Sequence, residues 1–228
     1  MGEMISFPSN GGSSPGYLAL PAAQNAPAVI VLQEWWGLVG HITSVADRLA
    51  QAGFIALAPD LYHGVAVDEP DEAKKLLMGL QMDKAALDIS GAARYLRTRP
   101  DNSGKGVGAL GFCMGGSLAI WSATLSGEVT ATIGFYPGMA WSRVAPVWKN
   151  YEGKATMIHC SQGDGTSSAV GIQEAISKIE EAGGRAEAFD YPGTAHAFFN
   201  NDRPEVYDES ASELAWNRTI KFLKEELF

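Results

Sequence analysis

The stretch GVGALGFCMGG, residues 106–116, decides the fold. Residues 106–111 form a short apolar run, as expected of a strand buried on both faces. Residues 114–125 read as a helix. The chain must therefore pass from strand to helix around Cys113 in a very tight turn. Such a turn leaves no room for side chains two residues before and two after, where Gly111 and Gly115 stand. Working outward, the same alternation recurs. Apolar runs at 28–32, 54–58, 131–136, 155–160 and 186–190 predict further strands. Between and after them, Ile42, Val45, Ala46 and Leu49 recur at helical spacing. So do Ile89, Ala92, Ala93 and Leu96, then Ile172, Ala175, Ile176 and Ile179, and finally Trp216, Ile220, Leu223 and Leu227. Residues 8–16, PSNGGSSPG, predict a turn-rich link between two short early strands. Strand–helix alternation at this spacing predicts an α/β fold, a mostly parallel twisted sheet with helices on both faces. Such sheets bind ligands beyond the carboxyl ends of their strands, so functional residues should follow strands.

Composition narrows the function. The 228 residues carry 17 Lys and Arg against 26 Asp and Glu, a net charge of -9, with 46% hydrophobic residues. The length suits one α/β domain spanning 1–228. Few and scattered cations argue against nucleic acid and against an anionic membrane surface. No apolar run approaches the roughly 20 residues of a membrane span. No basic start precedes an apolar stretch, so no secretory signal is expected. With only Cys113 and Cys160, a disulfide framework is excluded and a cytoplasmic location is expected. Met1-Gly2 with Ser6, and Asn217-Arg218-Thr219, fit lipidation and glycosylation patterns too short to carry weight.

The motif G-x-C-x-G-G at 111–116 fits a nucleophile elbow with Cys as the nucleophile. A strand-to-helix turn lifts Cys113 over the sheet edge beside a helix N-terminus, which favours thiolate. A buried structural Cys is the alternative. A phosphate cradle is disfavoured, since the Rossmann fingerprint G-x-G-x-x-G does not fit at this turn and there is no Walker Lys. Of four histidines, only His159 and His196 follow Cys113. His159 lies inside a predicted strand and reads as a packed residue. His196 lies in a loop just past a strand, where a catalytic base belongs. Asp164, glycine-flanked in the loop after residue 160, is the preferred orienting acid, with Asp190 as its rival. The N–H of Met114 and that of Trp35, after the strand at 28–32, are candidate oxyanion donors. Glu34 beside them is either a surface carboxylate or a partner that controls the resting thiol. Trp35 would wall the pocket, and Trp36 reads as core.

These segments resemble the dienelactone hydrolase family: QEWWG at 33–37, APDLY at 58–62, GFCMGG at 111–116, the Asp164 loop and GTAHAF at 193–198. They fall in the family's order over nearly the whole chain. The resemblance implies an α/β-hydrolase fold and a Cys113–His196–Asp164 triad acting on carboxylic esters or lactones. It also implies that Glu34 pairs with the resting Cys113, and that Trp35 and Met114 supply the oxyanion hole. Tyr136 and Phe198 are carried over as substrate contacts. The best-known members grip an anionic dienelactone with two arginines. At one of those positions, four residues after His196, this chain has Asn200, expected to face substrate; around 69–75 it has EPDEAKK and no Arg. Lys74, Lys75 and Arg203 are the remaining cations for that role, so a neutral substrate is expected. No metal or organic cofactor is required, and the expected partner is a small-molecule ester or lactone bound by a monomer or small homo-oligomer. A thioesterase or peptidase on the same triad, and a member that only binds ligand, are the alternatives.

Overall fold

The computed structural model describes the backbone of residues 1–228 and the side chains of all but residues 166–168. Its strands are β1 (Glu3–Ser9), β2 (Gly12–Ala19), β3 (Ala26–Leu32), β4 (Ile55–Pro59), β5 (Asn102–Phe112), β6 (Val129–Phe135), β7 (Ala155–Ser161) and β8 (Arg185–Tyr191). They form one sheet in the order β1-β2-β4-β3-β5-β6-β7-β8. β1 and β2 pair antiparallel, as do β2 and β4, and all other neighbours are parallel. The α-helices are α1 (Gly40–Gln51), α2 (Pro70–Gly79), α3 (Met82–Arg97), α4 (Met114–Leu125), α5 (Trp141–Val144), α6 (Gly165–Glu181) and α7 (Glu209–Leu227).

The apolar stripes read from the sequence decide which face each helix covers. α1 and α7 pack Ile42, Val45, Leu49 and Leu223 on one face, against Val29, Val31 and Leu110. α3, α4 and α6 pack Ile89, Leu96, Leu118, Ile172 and Ile179 on the other, against Ile30 and Ala109. With side chains inserted from both sides, every residue of β3 is buried, hence its unbroken apolar run. This is the α/β-hydrolase architecture. The parallel crossovers bring the carboxyl ends of β3, β5, β6, β7 and β8 to one edge.

Local boundaries depart from expectation in two places. Residues 8–16 are mostly strand: the turn is only Asn10-Gly11, with φ 52° and 73°. Two successive left-handed residues make the tight hairpin that matches strand twist, so the Gly- and Ser-rich flanks are free to pair. β5 begins at Asn102 rather than 106, because its polar first residues extend the pairing toward the surface. Among the described residues, no helix is long and apolar enough to cross a membrane, and no cluster of His, Cys, Asp or Glu is arranged to hold a metal ion.

Candidate active site

Cys113 stands between β5 and α4 with φ 53° and ψ −116°. A non-glycine residue there is strained and persists only where its surroundings enforce it. They do. A Cβ on Gly111 would lie 2.1 Å from the Gly115 carbonyl oxygen, and one on Gly115 would lie 2.3 Å from the Leu32 carbonyl oxygen. The turn is thus clamped between β3 and α4. The Cys113 N–H donates to the Phe135 carbonyl at 3.0 Å, fixing the turn to the end of β6. Both cysteines are free, with Cys113 half-buried and Cys160 buried.

His196 follows β8, and its Nδ1 is hydrogen-bonded to Oδ1 of Asp164, in the turn after β7. The Asp164 side chain is only 6% exposed, and its Oδ2 has no hydrogen-bond partner among the described residues. The Cys113 thiol lies on the same side of Gly138 as the imidazole and acts on its protonation. Burial by itself disfavours the imidazolium. Hydrogen bonds and charge attraction from Asp164 and Cys113 together outweigh it and push His196 up to about 10. The structure therefore brings Cys113, His196 and Asp164 together from three separate loops. Asp190 is exposed on β8, with no hydrogen bond to His196 among the described residues.

Glu34 is 2% exposed, which rules out its reading as a surface carboxylate. Burial raises its protonation point, opposed in part by a hydrogen bond from Asn200 and by the charges of His196 and Arg203. The Asn200 Nδ2 donates to Glu34 Oε2 at 2.9 Å, so the partner of Glu34 here is Asn200 and not the thiol. Asn200 is itself 3% exposed, and its amide is turned toward Glu34. The Met114 N–H opens α4, where no intrahelical partner exists, and the Trp35 N–H donates to nothing among the described residues. Trp35 and Trp36 meet edge to face at 5.0 Å, and Trp36 is half-buried rather than core. Tyr136 is wholly buried at φ 37°, 5.0 Å from the His196 ring, with its hydroxyl unpartnered among the described residues. Burial first, then the nearby charge of Glu34, pushes that hydroxyl far above its ordinary value. Phe198 departs from expectation. It has no exposed surface and packs between Tyr136 at 5.5 Å and Tyr191 at 5.0 Å, so it is a core residue behind the site. The chain after His196 dives into the aromatic cluster at once, taking Phe198 and Phe199 with it.

Residues 15–227 match the dienelactone hydrolase family. The chain belongs to this family. The protein usf of Aquifex pyrophilus is 34% identical over 240 residues, covering all of both chains. Carboxymethylenebutenolidase 1 of Cupriavidus pinatubonensis is 30% identical over 226 residues, 94% of this chain and 92% of that one. Among solved structures, the "putative dienelactone hydrolase" of Klebsiella pneumoniae superposes with a TM-score of 0.83 at 25% identity, covering 98% of each chain. A dienelactone hydrolase-like protein of this kind is a hydrolase of lactones or esters.

Against the family's two substrate arginines, the structure sorts the local cations. Lys74 and Lys75 are exposed on α2, and Lys75 faces a separate small cavity with His63 and Asp88. Arg203 is held by Glu205 at 2.9 Å, and its charge reaches Glu34 and Tyr136. Of the three, Arg203 is the cation beside the site. Two groups went unread in the sequence. The Tyr62 hydroxyl reaches the Met114 sulfur at 3.6 Å, and burial pushes it up to about 12. Gly138 donates its N–H to the Cys113 carbonyl at 3.2 Å. Tyr62 ends the APDLY segment, which was visible. Nothing local marked Gly138.

Proposed function

We propose that this family member hydrolyses neutral carboxylic esters or lactones with Cys113 as nucleophile, His196 as acid and base, and Asp164 as its orienting group. One observation carries the reading: a cysteine held on a strained hinge stands beside an imidazole that is hydrogen-bonded to a buried aspartate. The Cys113 thiolate attacks the acyl carbon. The carbonyl electrons move to oxygen, which the Trp35 and Met114 N–H groups hold. Collapse breaks the bond to the alcohol oxygen, which takes the proton from His196 Nε2. Water, giving a proton to His196, then attacks the thioester and returns the thiol and a carboxylic acid. The oxyanion donors contribute on the order of 3 kcal/mol each.

Glu34 fits this scheme as a buried acid whose burial raises its protonation point. A carboxylate beside the oxyanion loop would oppose the developing charge, and burial favours its uncharged form. Asn200 acts through Glu34 by holding its Oε2. The neutral-substrate reading rests on that amide. A substrate carboxylate would meet an amide already engaged with Glu34, and an Arg203 already paired with Glu205. The test is to quench the protein during turnover of an acetate ester and locate the acyl group by mass spectrometry. Acetyl on the Cys113 peptide is expected. Acetyl on another residue, or no covalent species with turnover intact in Cys113→Ala, refutes the assignment.

A further inference from the structure

Beside the catalytic cluster lies a second feature with no role in the scheme above. A cavity of about 600 Å³ opens between the loop after β6 and the first turns of α6. That volume falls inside the span of roughly 300–1,000 Å³ typical of small-molecule sites. Its walls include Met139, Trp141, Trp148, Val170 and Ile172. The walls are built rather than accidental. The Trp141 Nε1–H donates to the Gly171 carbonyl at 2.6 Å, which ties the loop to α6. Trp141 and Trp148 meet edge to face at 5.4 Å. The Met139 N–H donates to Ser117 Oγ at 3.0 Å, which seats the loop on α4.

Gly138 borders both this cavity and the reacting atoms. It lines the cavity, and a Cβ built on it would stand 3.5 Å from Cys113 Sγ and 3.8 Å from His196 Cε1. The thiol and the imidazole edge therefore both face Gly138. In ester cleavage the leaving oxygen must lie next to the imidazole that protonates it. Whatever that oxygen carries extends past His196, over Gly138. We propose that this cavity is the leaving-group subsite and that it takes the apolar, preferably aromatic, alcohol portion of an ester. The assignment rests on the reading of Cys113 and His196 given above. Gly138 puts no side chain between the cavity and the thiol, and the two indoles give an aromatic ring flat and edge contacts. Glu174 is the only ionisable side chain among the described lining residues. It sets the charge preference: an alcohol bearing a carboxylate is disfavoured and a neutral one accepted.

Three esters separate the possibilities. Ethyl acetate and benzyl acetate share an acyl group and differ only in the alcohol, whereas ethyl phenylacetate carries the ring on the acyl side. Benzyl acetate should exceed ethyl acetate in kcat/KM by about tenfold or more, as expected for added apolar contact in a preformed pocket. Val170 is exposed on the cavity rim, so Val170→Trp should fold and fill the space. In that variant the benzyl-to-ethyl ratio should fall about fivefold or more, with the phenylacetate-to-acetate ratio little changed. Glu174→Lys should raise turnover of 4-carboxybenzyl acetate relative to benzyl acetate. A fall in the phenylacetate ratio instead would place the acyl group in the cavity and overturn the assignment. Ratios that ignore both substitutions would overturn it as well. The parent reading fails differently: Cys113→Ala would hydrolyse all three esters at the native rate, or the native protein would hydrolyse none, and the assignment would fall with it.

Discussion

Two places in this molecule put a cysteine beside a histidine, and they behave as opposites. On β7, His159 and Cys160 are consecutive residues. The His159 nitrogens are both occupied, Nδ1 by the Tyr191 hydroxyl at 2.8 Å and Nε2 by the Thr219 hydroxyl at 2.9 Å. Burial holds His159 down to about 3 and pushes Cys160 up to about 12. At the sheet edge, Cys113 and His196 come from distant parts of the chain, and His196 is pushed up to about 10. The residue types are the same. What differs is position along the strand. Inside a strand both residues are desolvated, and the charges nearby, Arg218 for His159 and Asp190 and Asp164 for Cys160, also favour the uncharged forms. Past the strand ends, a carboxylate reaches the imidazole and the charged form is supported.

The comparison breaks first, if it breaks, on activity. Cys113→Ala and Asp164→Asn should each cut kcat by about 10³-fold or more, as loss of a triad member does. Cys160→Ala and Asp190→Asn should stay within about threefold, since surface and non-site substitutions rarely do more. Steady-state ester hydrolysis by the four variants checks this. A larger loss from Asp190→Asn would move the orienting role there. The second contrast is in reactivity. Iodoacetamide should label Cys113 about a hundredfold faster than Cys160 in the native protein, read by peptide mass spectrometry over time. Equal rates would remove the distinction between the two thiols.

Acidity sharpens the contrast further, because the two histidines couple to stability with opposite signs. In the unfolded chain an imidazole binds a proton near pH 6.5. Folded His159 binds one only near 3. Below about pH 6.5 the unfolded state therefore takes up more protons, and stability falls as pH falls toward 3. The slope is on the order of 1 kcal/mol per pH unit. His41, buried and held down to about 4, adds to the same loss. His196 works the other way: its contribution is fully present below about pH 6.5 and is lost as pH rises through about 10. Urea midpoints between pH 7 and 5 should drop for the native chain and drop less for His159→Gln. Midpoints between pH 7 and 10 should drop less for His196→Gln than for the native chain.

The smallest expected effect concerns substrate charge. A neutral ester should be turned over severalfold better than the anionic dienelactone at matched ionic strength. Asn200→Arg should narrow the gap by roughly threefold to tenfold, since it supplies a cation but unseats Glu34. A strong preference of the native protein for the anion would make Arg203 the recognition group.

Most of the fold was legible because β3, β5, β6 and β7 are buried on both faces, and burial leaves an apolar run in the sequence. The hairpin of β1 and β2 was harder. Its second strand, GSSPGYLA, is rich in residues that also make turns, and only pairing with β1 and β4 decides the matter. Within the site, the meeting of Cys113, His196 and Asp164 was legible because each lies in the turn or loop after a strand. Asn200 and Glu34 meet across 166 positions, and no local pattern encodes such a meeting. The same holds for Gly138, whose approach to Cys113 comes from the adjacency of β5 and β6. Phe198 was misjudged for the reverse reason. Its neighbour His196 faces the site, and two residues later the chain is already inside the aromatic core.

The glycine-lined hinge has a consequence for descent. Added side-chain atoms at 111, 115 or 116 would collide with backbone 2.1, 2.3 or 2.7 Å away, and backbone cannot step aside as a flexible side chain can. Exchange at Cys113 meets a different constraint, since in the proposed scheme only its sulfur takes part in bond-making. A lineage that abandoned turnover and kept the chain as a receptor could discard the thiol and would still have to keep all three glycines. A genome search keyed to those glycines therefore gathers everything that folds around this hinge, living enzymes and retired ones together. The residues at 113, 164 and 196 are then what sorts one from the other.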